Sequence, residues 1–344
     1  MKALVKKTHE RGIWMEEVTE PECNTNDVKI RITHMAICGT DLHIFKWDEW
    51  AQRTLKLPLI VGHEFCGIIE EIGPGVTHYK PGQRVSGEGH ITCGFCRNCR
   101  AGKRHLCHET KGIGIQRDGA FAEYLVIPES NIWPIDSNVP SEIAAFFDPF
   151  GNAVHSSLNY KMIGEDVLIT GAGPIGIMAA MVAVHSSARN VVITDLNEYR
   201  LNLVKKIVPK AITVNVGKDQ ITTEMMENLG IFEGFDVGLE MSGSPQAFGD
   251  MLKKMINGGK IAMLAIMPEG SGIDWDLVVF KGLQIKGIHG RKIFETWYKG
   301  SMMVQGGLPL EKIITHHYHY TDFQKGFDVM CSGQSGKVIL NWED

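Results

Sequence analysis

DVLITGAGPIG, residues 166–176, is the stretch from which the rest of this chain is read. Residues 166–170 make an apolar strand, Gly171-Ala172-Gly173-Pro174-Ile175-Gly176 follows as G-x-G-x-x-G, and a helix-like apolar run continues to about Ser186. A second apolar strand comes next, over 191–194. In that frame the three glycines differ in what they do. Gly171 makes the turn, Gly173 lets backbone approach a pyrophosphate, and Gly176 lets the helix pack on the strand, with the phosphates at the helix N-terminus. Asp195 stands 19 residues past Gly176, at the end of the second strand, where a carboxylate would hold ribose hydroxyls. The same carboxylate would repel a 2′-phosphate, which favours NAD over NADP, although Arg200 lies close by. A glycine-rich turn without a ligand is the alternative, and the strand-turn-helix-strand context together with Asp195 speaks against it.

Outward from this unit the alternation of strand and helix begins after about residue 151, with further apolar runs at 236–240 and 260–265 extending a parallel sheet. After about Arg291 the pattern returns to shorter, mixed elements. Before residue 150 the texture is β-rich. Val28, Ile30 and Ile32 alternate with Lys29 and Arg31 as in a half-buried strand, and short runs at 59–62, 67–72 and 124–127 are punctuated by Pro and Gly at 73–75 and 81–82. No repeat is visible. A chain of 344 residues accommodates two domains with cores of their own. We therefore expect an α/β protein whose domains span 1–150, 151–290 and 291–344, the last segment completing the first.

With 35 Lys and Arg against 40 Asp and Glu, the net charge of −5 offers no basic excess for nucleic acid or an anionic membrane, so small-molecule partners are expected. The longest nearly unbroken apolar run, 175–184, is half of the roughly 20 residues needed to cross a bilayer. The charged start MKALVKKTHERGIW lacks the apolar core of a signal peptide, so a cytoplasmic location is the expectation.

Eight cysteines in a reducing compartment point to metal rather than disulfides, and four of them, Cys93, Cys96, Cys99 and Cys107, form C-x2-C-x2-C-x7-C. Gly94 and Gly102 let that loop curl until four sulfurs face one point, which suits a closed tetrahedral zinc site. An iron-sulfur cluster is the rival; its usual run has three residues before the last Cys and a Pro after it, whereas seven intervene here and His108 follows. A sparser group holds Cys38 in ICGTDLH and His63 with Glu64 in PLIVGHE, enough for a catalytic zinc with an open position. Taken singly, a Cys or His is more often a packed core residue than a ligand, as we expect for Cys23, Cys66 and Cys331.

GHE at 62–64, the Cys38 motif, the four-cysteine loop and the later fingerprint, in that order, resemble the zinc-dependent medium-chain alcohol dehydrogenases over almost the whole chain. The resemblance implies a GroES-like β-rich catalytic domain, a Rossmann doubly wound parallel-sheet domain and a homotetramer. It makes Cys38, His63 and Glu64 ligands of a catalytic zinc and the four clustered cysteines ligands of a structural one. It casts Thr40 and His43 as a relay that carries the substrate's hydroxyl proton to solvent, within hydrogen-bond reach of each other. Classical members supply their third protein ligand as a Cys in the region of Asp148; with Asp there, it could bind zinc, bind through water or assist the relay. For NAD the resemblance adds Ile175, Asp195 and Arg200, then Leu264, Ala265, Ile266, Ile288 and His289. The stretches ICGTDLHIFKWDEWAQ (37–52), FDPFGNAVH (147–155), GIDW (272–275) and the closing GKVILNW resemble the members that oxidise L-threonine to 2-amino-3-oxobutanoate. His90 and Asn152, with Asp148, are candidate partners for that substrate's charged groups. A polyol or other secondary-alcohol dehydrogenase, and a nucleotide-binding module without chemistry, are the competing expectations.

Overall fold

The computed structural model describes residues 1–343. The chain divides into two units, Met1–Pro149 with Lys292–Gln305 and Ile314–Asp344, and Phe150–Arg291 with Gly306–Ile313. Residues 306–313, expected with the C-terminal segment, thus group with the second unit. There Leu308, Leu310 and Ile313 are buried, and the turn Leu310–Ile313 packs on the helix Pro174–His185.

In the second unit six strands lie in the spatial order Ile212–Asn215, Asn190–Asp195, Asp166–Thr170, Phe235–Glu240, Met255–Met263 and Gln284–Gly287, all parallel. Counted along the chain this is 3-2-1-4-5-6, the doubly wound order, with its reversal between the Asp166–Thr170 and Phe235–Glu240 strands. Central strands covered on both faces need continuous apolar residues, as Val167, Leu168 and Ile169 supply. The two outermost strands, Ile212–Asn215 and Gln284–Gly287, carry polar residues among few apolar ones. They present no apolar run in the sequence because an edge strand is not enclosed on both sides. The helix Pro174–His185 is apolar all round, starts with Pro at its first position and buries residues 176–183, so it is a core helix.

In the first unit Asp27–Ala36 is the central strand of a seven-stranded sheet, pairing with Phe65–Ile72, Tyr124–Pro128 and Lys337–Asn341. The last of these comes from the C-terminus and lies parallel to Ile314–His319. Alternation over 28–32 suggests a solvated polar face, but Lys29 is only 8% exposed. Its ammonium pairs with Glu20 and sits 4.9 Å from the centroid of the Tyr124 ring, so the aliphatic stem is covered and its charge satisfied. No helix among the described residues is long and apolar enough to cross a membrane.

Candidate active site and metal centres

Cys38 follows the strand Asp27–Ala36 and caps the helix Gly39–Lys46, where its backbone N–H donates to Asp41 Oδ2 at 2.9 Å. His63 and Glu64 lie in the loop just before the strand Phe65–Ile72. One ligand atom from each of Cys38, His63 and Glu64 falls within 4.8 Å of the others. Among the described residues His63 Nδ1, Glu64 Oε1 and Asp41 Oδ1 are buried with no hydrogen-bond partner. Orphaned acceptors around one point are costly unless a cation collects them, and the S, N and O donors are those zinc takes, so the residues fit a zinc ion.

Burial and charge oppose each other at this point. Burial opposes a charge on His63, yet Cys38 and Asp41, with a smaller contribution from Asp148, overcome it and raise the histidine to about 10. Burial pushes the Asp41 carboxyl up to about 6 against the pull of His63, whose Nδ1 is 3.8 Å away. Burial likewise pushes Glu64 upward, with Lys337 and His63 pulling the other way. Lys337 is the unexpected member: wholly buried on the C-terminal strand, it pairs with Glu64 Oε2 and donates to the carbonyl of Ile37 at 3.0 Å. Asp148, 5% exposed in the first turn of the helix Phe147–Ser157, acts on His63 and Glu64 through its charge but is not part of the converging set.

Thr40 Oγ1 stands 3.8 Å from Cys38 Sγ. His43, one turn along the same helix, is 57% exposed and bonds through Nδ1 to Asp48, which also accepts from the amide of Ala51. The two lie at i and i+3, yet no hydrogen bond joins them; His43 is turned to Asp48 instead. Asp48 carries no pattern in the sequence, only the cap signal of an Asp before the helix Glu49–Thr54. His90 opens the two-residue strand His90–Ile91, with its ring nitrogen 3.5 Å from the buried Glu88 carboxylate. Asn152 belongs to the second unit, and its Oδ1 is buried without a partner.

The four clustered cysteines also converge within 4.8 Å, and all are free of disulfides. Gly94 and Gly102 adopt φ of +77° and +72°, the left-handed turns that coil the loop. Backbone amides of Cys93, Cys96 and Cys99 point at the sulfurs of Cys107, Cys93 and Cys96 at 3.4 to 3.5 Å. The Cys99 amide and His108 lower the Cys96 thiol to about 5, whereas burial and the neighbouring Cys96 raise that of Cys99 to about 11, so without an ion the four sulfurs do not share one charge state. This set fits a closed zinc site.

In the second unit Gly171 has φ +91°, and a Cβ on Gly176 would lie 1.9 Å from the Gly171 carbonyl oxygen, so both positions exclude side chains. A Cβ on Gly173 would meet nothing within 4 Å, which leaves the turn open where a pyrophosphate would approach. Asp195 Oδ2 accepts from the amide of Ala172 at 2.6 Å and Oδ1 from Asn197 at 2.8 Å, tying the turn to the next strand end. Arg200 Nε is buried without a partner. Leu264, Ala265 and Ile266 follow the strand Met255–Met263, and Ile288 and His289 follow Gln284–Gly287. All these residues therefore stand at the carboxyl edge of one sheet, where such folds bind dinucleotides.

Two family models match the chain, the alcohol dehydrogenase GroES-like domain over residues 24–137 and the zinc-binding dehydrogenase over 174–305. An L-threonine 3-dehydrogenase from Aeromonas hydrophila is 61% identical over the full length of both chains, and one from Vibrio parahaemolyticus is 59% identical, covering 100% of this chain and 99% of its own. The solved structure of an alcohol dehydrogenase from Thermus sp. ATN1 superposes with a TM-score of 0.90 at 26% identity, covering 99% of each chain. With these matches beside two convergent groups of potential metal donors and an open glycine turn, the chain belongs to the zinc-dependent medium-chain alcohol dehydrogenase family, among the L-threonine 3-dehydrogenases.

Proposed function

We propose that this chain oxidises the secondary hydroxyl of L-threonine to give 2-amino-3-oxobutanoate, with NAD as hydride acceptor and two zinc ions per subunit. The observation that carries the reading is the full-length identity of 61% to an L-threonine 3-dehydrogenase, with Cys38, His63, Glu64 and Thr40 gathered at one place. Cys38, His63 and Glu64 would hold a zinc ion, which would supply Lewis acidity toward the alcohol, and NAD at the carboxyl edge of the parallel sheet would supply a hydride acceptor. Thr40, beside Cys38, takes the substrate's hydroxyl proton as it releases its own, which travels on to His43 through water because no hydrogen bond joins the two side chains. His43 passes it to water, for which its exposure suits it, while Asp48 holds Nδ1 and leaves Nε2 as the accepting nitrogen. Asp148 keeps the buried site negative and is a candidate relay member rather than a primary ligand. The zinc held by Cys93, Cys96, Cys99 and Cys107 is structural.

Asp195, between the turn and the ribose position, selects NAD over NADP. His90 and Asn152 are candidate partners for the amino acid's charged groups. Self-association is supported by the sheet edge Gln284–Gly287 and the exposed Trp275, Val279 and Phe280 on the helix Trp275–Phe280; a homotetramer in the cytoplasm is the form that the family resemblance implies. Light scattering of the purified protein reads the state directly, a single chain mass contradicting it. The functional test follows NADH formation by the zinc-loaded protein over a substrate panel. L-threonine should be oxidised efficiently, L-serine much more weakly, and 2-butanol and sorbitol hardly at all. Sorbitol outperforming threonine at equal concentration would replace this reading with that of a polyol dehydrogenase.

A further inference from the structure

Glu240 ends the strand Phe235–Glu240, next to the strand Asp166–Thr170 at the point where the sheet order reverses, and it is fully buried. One oxygen, Oε1, collects four donors: the hydroxyl of Thr170 at 3.3 Å, the amide and hydroxyl of Ser242, and the amide of Gly243 at 3.0 Å. Its backbone carbonyl accepts from the amides of Leu264 at 3.1 Å and Ala265 at 3.3 Å. One residue thus fastens the end of the first strand, the 241–243 loop and the segment after the fifth strand. The packing there is close. A Cβ on Gly171 would lie 2.9 Å from the Met241 carbonyl oxygen, and a Cβ on Gly243 would lie 2.8 Å from that of Ile266. The 241–243 loop is therefore wedged between the glycine-rich turn and residue 266, and its placement follows from the Glu240 carboxylate.

We infer that Glu240 is a positioning residue for the nicotinamide dinucleotide, setting the spacing between the Gly171 turn and the 264–266 segment. The inference rests on the reading of that edge as the dinucleotide site. A carboxylate suits this role because its oxygen accepts without donating and its charge strengthens each of the four bonds. A glutamine would either turn its NH2 toward four donors or keep a neutral oxygen there and bury an unpaired NH2 in the position of Oε2, which has no partner.

The test is a fluorescence titration of the zinc-loaded protein with NADH, paired with the KM for L-threonine at saturating NAD. Glu240→Gln should weaken NADH binding about tenfold or more, the scale set by weakening a charged acceptor with several donors. The threonine KM should stay within about twofold, which a general loss of structure would not allow. Thr170→Val and Ser242→Ala each remove a donor while keeping the carboxylate, and should weaken NADH binding less; they keep the inference testable should Glu240→Gln fail to fold. Wild-type affinity in all three would overturn it, as would tighter binding, the result expected if Glu240 were only a buried charge repelling an anionic ligand. Parallel loss of threonine and NADH affinity would also overturn it, in favour of a purely structural part. A wild-type protein that takes no NADH would instead refute the dinucleotide site itself.

Discussion

The four-cysteine lobe gathers its sulfurs from 15 consecutive residues, 93–107, with Phe95 in its midst 78% exposed, whereas Cys38, His63 and Glu64 come from separate stretches and are backed by Lys337 from the last strand. Around the lobe the chain offers amides and left-handed glycines but little apolar cover; around the second group lie Asp41 on the helix Gly39–Lys46 and Lys337 on the last strand, both buried. A site built from a loop owes its shape to the ion it binds. A site built into a core keeps its shape and lends the ion its chemistry.

Breaking the lobe should give the largest effect. Cys99→Ser should lower thermal stability or solubility more than it alters catalysis in the fraction that stays folded, since loss of one thiolate opens a closed site. A stable Cys99→Ser protein lacking only activity would exchange the roles of the two centres. Lys337→Met tests the other side of the comparison, because it leaves Glu64 buried without its ion partner. Unfolding by denaturant should show a loss of about 3–5 kcal/mol, the range for a broken buried pair. A loss under about 1 kcal/mol would mean that the core around Glu64 does not depend on that pair. His43→Ala should leave zinc content and stability untouched and cut kcat by about 10²-fold, the usual scale of a positioned proton-transfer group. Near wild-type turnover in the fully metallated variant would make His43 an ordinary surface histidine. The smallest change is expected at Asp195→Gly, where the ratio of NAD to NADP affinities should fall while the threonine KM holds. An unchanged ratio would move cofactor choice to Arg200.

The contrast also explains how much of the molecule is legible in its sequence. The fingerprint is legible because Gly171 and Gly176 answer to backbone geometry that no other residue satisfies, and the lobe because its cysteines are dense and regularly spaced. Cys38, His63 and Glu64 are legible as single residues only, and the resemblance is what joins them. Asp41 and Lys337 give no signal, and Asp48 only that of a helix cap: each is one charged residue among many, and burial or pairing exists only after folding. Glu240 gives a faint one, a carboxylate closing an apolar strand just as Asp195 does, but without a spacing rule to single it out. The edge strands Ile212–Asn215 and Gln284–Gly287 escape a pattern reading for the same reason that they are edges, too few apolar residues to make a run.

The division of labour between the two centres is tested most directly by following zinc release, activity and melting temperature together as a chelator is added to the native enzyme. Two zinc ions per chain should be found. The first should leave from the site with an open position, taking threonine oxidation to zero while the melting temperature changes little, and the second should leave as the protein unfolds. Activity that survives release of the first ion and disappears only with unfolding, or a chain that holds a single zinc, would contradict the account.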